Sequence, residues 1–220
     1  MEDLRNDCLH YDDDWAIQMK HVSMIFSFKF TALLWLALAA TLWSVNTRAQ
    51  TPEFGGVKIE DNITIYNNTL ILNGAGVASV GKNKMYVVQI YAKQKFATLD
   101  AMMAAPGPKR LVLTALREVD TAPIVKNFNR NLEDGNRANM AALVPGMVGF
   151  GDLFKVKRTL APGEVMTLDW IPIYGFTIYI GGKLQGAAYR HPELYKAAVS
   201  VWMGESNLDP KVKDALLGKG

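Results

Sequence analysis

The feature that most constrains the fold is a succession of short apolar runs separated by Asn and Gly turns. Residues 57–72 alternate apolar and polar side chains and are interrupted by Asp61-Asn62 and Asn67-Asn68. The two runs that follow Gly74-Ala75-Gly76 are separated by Gly81-Lys82-Asn83. Alternation with period two indicates strands, and short polar or glycine breaks between such runs indicate hairpins. The first part of the domain is therefore predicted to form antiparallel strands.

A helical block follows these strands. A short helix is expected over residues 98–105 and a strand over residues 109–116. From Asp120 to about Val156 the apolar residues recur at helical spacing. Because proline and glycine interrupt helices, Pro145-Gly146 and Gly149-Phe150-Gly151 are expected to divide this block into two or three helices.

The chain then returns to strands and closes with two helices. Proline stands at the start and glycine after the end of both closing segments, which is typical of helices. The predicted strands are residues 165–171, 176–180 and 183–187, and the predicted helices are residues 192–203 and 210–217. Hairpins are frequent and no βαβ rhythm is present. We therefore predict one α+β domain over residues 50–220, with a large, mainly antiparallel sheet covered by helices on one face.

The N-terminal part of the chain has the composition of a targeting segment. Residues 30–45 are almost wholly apolar and carry no charge, Lys29 precedes them, and Thr47-Arg48-Ala49 follows. The run has 16 residues, and a membrane-spanning helix needs about 20. Residues 1–49 are therefore expected to be an extension and a secretory signal peptide cleaved near Ala49, with an uncleaved anchor as the alternative. This predicts a periplasmic or secreted protein without a stable membrane span after cleavage.

The residues before this segment do not suit a signal peptide. Residues 1–15 are acidic, whereas the start of a signal peptide is basic. Translation from Met19 or Met24 instead of Met1 would remove all of these acids.

Composition excludes several classes of function for residues 50–220. They hold 20 Lys and Arg against 15 Asp and Glu, scattered without the basic stripe typical of nucleic-acid binding. The chain's one cysteine is Cys8, and His191 is the only histidine in this part. The acids show no metal-ligand spacing, so no metal is expected. A predicted hairpin, not a helix, follows Gly74-Ala75-Gly76, which argues against a dinucleotide cofactor. No cofactor is expected, and hydrolase chemistry is disfavoured because no Gly-x-Ser-x-Gly motif is present.

Two features remain as candidate binding elements. Arg117 ends an apolar strand and could pair with Glu118 or Asp120, or hold an anion between sheet and helices. The second feature is a group of large apolar side chains that could form an ordinary core or line an apolar pocket. These are Met85, Val87, Ile90, Tyr91, Trp202 and Met203.

Several separated motifs together resemble the chalcone isomerase-like family, and its bacterial secreted branch in particular. The resemblance spans roughly residues 57–218. It rests on the segments at residues 72–77, 86–91, 105–111, 116–119, 137–139, 201–204 and 216–218. The resemblance implies an open-faced β-sandwich with a ligand cleft between the large sheet and a layer of helices. Plant members of the family close a chalcone into a flavanone, and other members bind fatty acids in the equivalent cleft.

Position by position, the resemblance argues against the isomerase reaction. The family's arginine after the Gly-Ala-Gly-x opening, which stabilises a developing oxyanion, is replaced here by Ala78. The enzymes' threonine on the next strand falls on Tyr86, and fatty-acid-binding relatives use a tyrosine near this place. The late threonine or serine falls near Val201, and the family's helical asparagine falls near Asn136.

These observations lead to three functional hypotheses. The first is a non-catalytic periplasmic protein that binds an apolar or amphipathic ligand such as a fatty acid, with Tyr86, Arg117 and Asn136 as ligand-binding residues and no catalytic residue. The second is an isomerase or intramolecular lyase with Tyr86 as acid and Arg117 stabilising an enolate. The third is a structural or partner-binding domain without a cleft.

Overall fold

The computed structural model describes residues 53–219. The targeting segment, its cleavage near Ala49 and the alternative starts at Met19 and Met24 lie outside these residues. Residues Thr51–Gly220 form one compact unit.

Eleven strands are present in the described residues, and seven of them form one antiparallel sheet. The strands are β1 (Glu53–Phe54), β2 (Val57–Lys58), β3 (Asn62–Ile65), β4 (Asn68–Val80), β5 (Asn83–Ala92), β6 (Lys109–Ala115), β7 (Val119–Asp120), β8 (Thr159–Leu160), β9 (Val165–Ile171), β10 (Gly175–Ile180) and β11 (Lys183–Leu184). The large sheet has the order β11-β10-β9-β6-β5-β4-β3, and β1-β2 and β7-β8 are separate antiparallel pairs. The predicted hairpin at Gly81 joins β4 to β5.

Five α-helices and one 3-10 turn accompany the strands in the same part of the chain. They are α1 (Leu99–Ala104), α2 (Ala122–Asn136), the 3-10 turn (Arg137–Asn139), α3 (Met140–Val156), α4 (Pro192–Met203) and α5 (Pro210–Leu216). None of the described helices is both long and apolar enough to cross a membrane.

The main hydrophobic core lies between one face of the sheet and the helices. Period-two alternation sends Val88, Ile90 and Leu111 to this side. Helix α4 is the centre of the helical layer, since nearly every residue from Leu194 to Met203 is buried. The predicted arrangement, an α+β domain with a mainly antiparallel sheet and helices on one face, is confirmed.

The opposite face of the sheet carries two smaller apolar clusters and a polar group. Val87 and Tyr91 belong to these clusters, so strand alternation separates them from Ile90. The sheet curls enough to place the Tyr66 hydroxyl, in the β3–β4 turn, 2.7 Å from the hydroxyl of Tyr179 on β10. Asp169 is fully buried on the same side and accepts two hydrogen bonds from Arg110, at 2.7 and 2.6 Å.

Helix α5 lies directly on β4 because two residues of that strand have no side chain. A Cβ atom at Gly74 would stand 2.0 Å from the carbonyl oxygen of Ala215, and one at Gly76 would stand 3.1 Å from Cα of Val212. Asn73 precedes them at an irregularity in the β4–β5 pairing, and its side-chain amide donates to the Leu216 carbonyl at 2.7 Å. The Gly-Ala-Gly motif therefore positions the C-terminal helix.

The prediction that Pro145-Gly146 and Gly149-Phe150-Gly151 divide the helical block is wrong. Helix α3 continues through Pro145, and the interruption lies earlier, at the 3-10 turn. Packing against neighbours outweighs local propensity here. A Cβ at Gly146 would stand 2.3 Å from Leu194 of α4, and one at Gly149 would stand 2.9 Å from the Tyr189 hydroxyl. These glycines allow close approach and do not end the helix. The last predicted strand is also shorter than expected, ending at Leu184.

Candidate functional site

The positions that carry the argument for function, Ala78 and Tyr86, face each other on neighbouring strands. They pair in register on β4 and β5, and the pairing shifts immediately after Ala78. Both side chains point to the helical side and are buried. They line a cleft of about 290 Å³ between the sheet and the helices. Its lining residues are Ala78, Ser79, Val80, Met85, Tyr86, Val119, Asp120, Pro123, Ile124, Leu208 and Asp209.

The cleft walls come from segments that are distant in sequence. Strand β7 and the first turn of α2 supply Val119, Pro123 and Ile124. The segment that leads into α5 supplies Leu208 and Asp209, which reach the cleft because α5 packs so closely on β4. At about 290 Å³ the cleft lies near the lower end of the range for small-molecule pockets, roughly 300–1,000 Å³.

Tyr86 supplies a buried hydroxyl to this mostly apolar cleft. The side chain is 8% exposed, and its oxygen accepts a hydrogen bond from Nε1 of Trp202 on α4, at 3.3 Å. Burial raises the pKa of Tyr86, Asp209 raises it further, and the Trp202 hydrogen bond acts in the opposite direction. The phenol is therefore neutral at physiological pH and keeps its proton.

Two carboxylates, Asp120 and Asp209, also line the cleft, and each accepts a hydrogen bond from an amide at the start of a helix. Oδ1 of Asp120 accepts from the Ala122 amide at 2.9 Å, and Oδ1 of Asp209 accepts from the Lys211 amide at 2.9 Å. No Lys, Arg or His belongs to the lining among the described residues. The charge in the cleft is therefore negative.

Arg117 lies in a different cleft. Its side chain is exposed, and it lines a surface cleft of about 690 Å³ with Lys82, Lys84 and Glu118. Its backbone amide donates to the Met85 carbonyl at 3.2 Å. Within residues 53–219 it forms no ion pair with Glu118 or Asp120. The structure does not bring Arg117 together with Tyr86.

The other residues singled out from the sequence have local roles. Nδ2 of Asn136 donates to the Leu132 carbonyl at 2.9 Å, one turn earlier in α2, and Asn136 is not part of the cleft lining. Val201 is fully buried in α4 beside Trp202. His191 stands immediately before Pro192, where α4 begins at the predicted residue. Residues 53–219 contain no cluster of His, Cys, Asp and Glu that could hold a metal ion.

Sequence reasoning missed three residues of the site. Asp209 caps α5, and nothing in the sequence placed it beside Tyr86. Asp120, considered as a partner for Arg117, likewise lines the cleft while it accepts from the Ala122 amide. Trp202 was grouped with the apolar residues, and its ring N–H as a partner for Tyr86 had no sequence signal beyond the usual need of a buried indole for an acceptor.

Comparison with known proteins places this architecture in a family. The family model described as "Chalcone isomerase-like" matches residues 50–218. The chain belongs to the chalcone isomerase-like family. The resemblance identified from the separated motifs is thereby confirmed. No curated protein matches the chain in sequence.

Solved structures include a similar fold. A fatty-acid binding protein of Arabidopsis thaliana superposes with a TM-score of 0.56 at 15% sequence identity, covering 74% of this chain and 92% of that one. At this identity the similarity extends to the fold alone. The family domain here thus has a sheet-and-helix arrangement shared with a protein that is described as binding fatty acids.

Proposed function

We propose that this member of the chalcone isomerase-like family is a non-catalytic binding protein. It holds a small apolar or amphipathic ligand in the cleft beside Ala78 and Tyr86. The observation that carries this proposal is the cleft itself, which is about 290 Å³ in volume, mostly apolar, and has one buried hydroxyl at Tyr86. A cleft with an apolar lining and few polar groups is the usual form of a small-molecule site.

The arrangement supports binding over catalysis. The isomerase hypothesis requires Arg117 to stabilise an enolate while Tyr86 acts as acid, and these two side chains line different clefts. Ala78 has no group that could stabilise a developing negative charge, and Asp120 and Asp209 would oppose one. The fatty-acid binding protein with the similar fold supports the same choice.

The site of action in this proposal is the periplasm or the cell exterior. The support is the uncharged apolar run at residues 30–45, followed by Thr47-Arg48-Ala49. Expression of the full chain and intact-mass analysis of the purified protein test this part. A mature N-terminus near residue 50 in a periplasmic extract supports export, and a full-length protein in the cytosolic fraction overturns it.

Native mass spectrometry tests ligand binding directly. The protein is purified after expression of the full chain, and its bound species are extracted into organic solvent and identified. We expect a non-covalent adduct of an apolar or amphipathic molecule, lost when Ile124→Trp fills the cleft. Val156→Trp is the matched control, because Val156 is 89% exposed and outside the cleft lining.

An apo mass that also takes up none of a panel of added aliphatic ligands would overturn the binding proposal. Retention of the adduct in the Ile124→Trp variant would show that the ligand binds elsewhere.

A further inference from the structure

The charges around the cleft restrict which amphipathic ligand it can hold. Asp120 and Asp209 are the only charged residues in the described lining, and both are acidic. Asp209 accepts from the first amides of α5, and Asp120 accepts from the Ala122 amide at the start of α2, where the helix dipole would otherwise favour an anion. The positive helix ends are therefore compensated by the protein's own carboxylates.

The basic residues around the cleft line separate surface clefts, one formed by Lys82, Lys84 and Arg117 and another, which Asp120 also lines, by Lys126, Lys155 and Arg158. No basic residue accompanies Asp209 in the described lining of the Tyr86 cleft. At Ala78 the side chain is a methyl group. A ligand carboxylate placed beside Tyr86 would therefore lose its hydration and meet two like charges without a cation, which is unfavourable.

The polar group that the cleft offers to a ligand is the hydroxyl of Tyr86. Its oxygen already accepts the Trp202 N–H, and no acceptor for its own proton lies within hydrogen-bonding distance among residues 53–219. Because burial and Asp209 raise the pKa of Tyr86, this proton stays on the phenol. The group left for a ligand is an O–H donor, which an alcohol or carbonyl oxygen can accept and an ammonium group cannot.

We infer that the cleft selects amphipathic ligands whose polar end is an uncharged oxygen acceptor, such as a long-chain alcohol, aldehyde or ester, over the corresponding carboxylates. This inference rests on the proposed function, because it specifies the ligand class of the same cleft. The polar end accepts from Tyr86, and the chain lies against Met85, Ile124 and Leu208. The cleft discriminates by charge repulsion and not by shape.

Three probes with the same chain test the inference: dodecanol, dodecanoate and dodecylamine, each below its aggregation concentration. Binding to the delipidated protein, as purified after full-chain expression, is measured by titration calorimetry at pH 7.5. We expect dodecanol to bind on the order of tenfold more tightly than dodecanoate, because the carboxylate of dodecanoate is repelled by half-buried Asp209 and exposed Asp120. Dodecylammonium, which the same two carboxylates attract, should also bind more tightly than dodecanoate.

Variants that remove the negative charge but keep the hydrogen bonds to the helix amides provide a second test of the inference. The side-chain carbonyl oxygen of Asn can accept the same backbone hydrogen bonds as Asp, so Asp209→Asn and Asp120→Asn remove charge with little loss of stability. The double variant should bind dodecanoate several-fold more tightly and dodecanol as before. Ala78→Arg should reverse the preference, and the asparagine variants keep the inference testable if this buried arginine prevents folding.

The outcomes separate this inference from the proposed function. If dodecanoate binds the wild type at least as tightly as dodecanol or dodecylamine, the inference is overturned while the binding function stands. An unchanged dodecanoate affinity in the double asparagine variant likewise overturns it. If none of the probes binds any variant, both the inference and the proposed function fail.

Discussion

At the scale of single residues, Tyr86 is the polar contact that the proposed site depends on. Tyr86→Phe removes the only described hydroxyl that is both buried and part of the cleft lining. A neutral hydrogen bond contributes about 0.5–1.5 kcal/mol, so we expect dodecanol affinity to fall by a factor of roughly two to twelve. Titration calorimetry of both proteins measures this change.

Tyr91→Phe is the matched control for this substitution. The Tyr91 hydroxyl donates to Gln89 at 2.6 Å and lies on the opposite face of the sheet. Its loss should lower the free energy of unfolding and leave ligand affinity unchanged. Equal affinity in the wild type and Tyr86→Phe, or an equal loss in both variants, would remove Tyr86 from the site.

A second prediction at this scale concerns the ion pair of Arg110 and Asp169. Asp169 is fully buried, and Arg110 satisfies both of its oxygens. Arg110→Met leaves a buried carboxylate without its partner, which costs about 3–5 kcal/mol. Urea unfolding should show this loss, and adding Asp169→Leu should recover most of it, because an apolar pair replaces the ion pair. A double variant as unstable as the single one would show that the pair itself stabilises the fold.

At the scale of elements, the contact between α5 and β4 depends on glycine. Gly74→Ala would place Cβ 2.0 Å from the Ala215 carbonyl oxygen, so the helix must move. Overpacking costs about 1–3 kcal/mol or more, and we expect a loss in this range by urea unfolding. Because Asp209 caps α5 and lines the cleft, ligand affinity should change as well.

Gly151→Ala provides the comparison for this prediction. Gly151 lies inside α3, and a Cβ there would meet nothing within 4 Å. Alanine should therefore stabilise the protein by up to about 1 kcal/mol. Similar effects of the two substitutions would contradict the role given to Gly74.

Elements were predictable from sequence where the signal is local. Alternation, proline at helix starts and glycine in turns predicted the strands Val165–Ile171 and Gly175–Ile180 and the helix Pro192–Met203 nearly to the residue. The prediction of a helix break at Pro145 was wrong because the helix around it is held by contacts with α4, and a single sequence does not reveal such contacts.

The site was less predictable than the fold, because it is formed by contacts between segments that are distant in sequence. Tyr86 and Ala78 were found through the family resemblance, and the structure pairs them across two strands. Asp209 reaches the cleft only through the packing of α5 on glycines more than a hundred residues away in sequence. The apolar group that included Val87, Ile90 and Tyr91 was treated as one surface, although period-two alternation sends Ile90 to the other face.

At the scale of the whole molecule, buried tyrosines determine how stability depends on alkaline pH. Burial raises the pKa of Tyr86, Tyr91, Tyr189 and Tyr195, that of Tyr91 to about 12. In the unfolded chain these phenols ionise near pH 10, so above that pH the unfolded state loses protons that the folded state keeps. The free energy of unfolding should therefore stay nearly constant below about pH 10 and decrease between about pH 10 and 12.

Urea unfolding across this pH range, together with tyrosinate absorbance, measures the effect. Lys109 acts in the opposite direction, because burial lowers its pKa. Tyrosinate should appear together with unfolding, and Tyr91→Phe should reduce the fall in stability. Ionisation of all tyrosines near pH 10 without loss of structure would contradict the prediction.

The packing of α5 on β4 also determines at which stage of synthesis and folding the cleft forms. Leu208, Asp209 and α5 leave the ribosome more than a hundred residues after the strands that carry Ala78 and Tyr86, since synthesis proceeds from the N-terminus. A nascent chain that lacks α5 therefore lacks the wall of the cleft that Leu208 and Asp209 form. Ligand can be captured only after α5 has packed on β4, so loading takes place in whichever compartment this packing occurs.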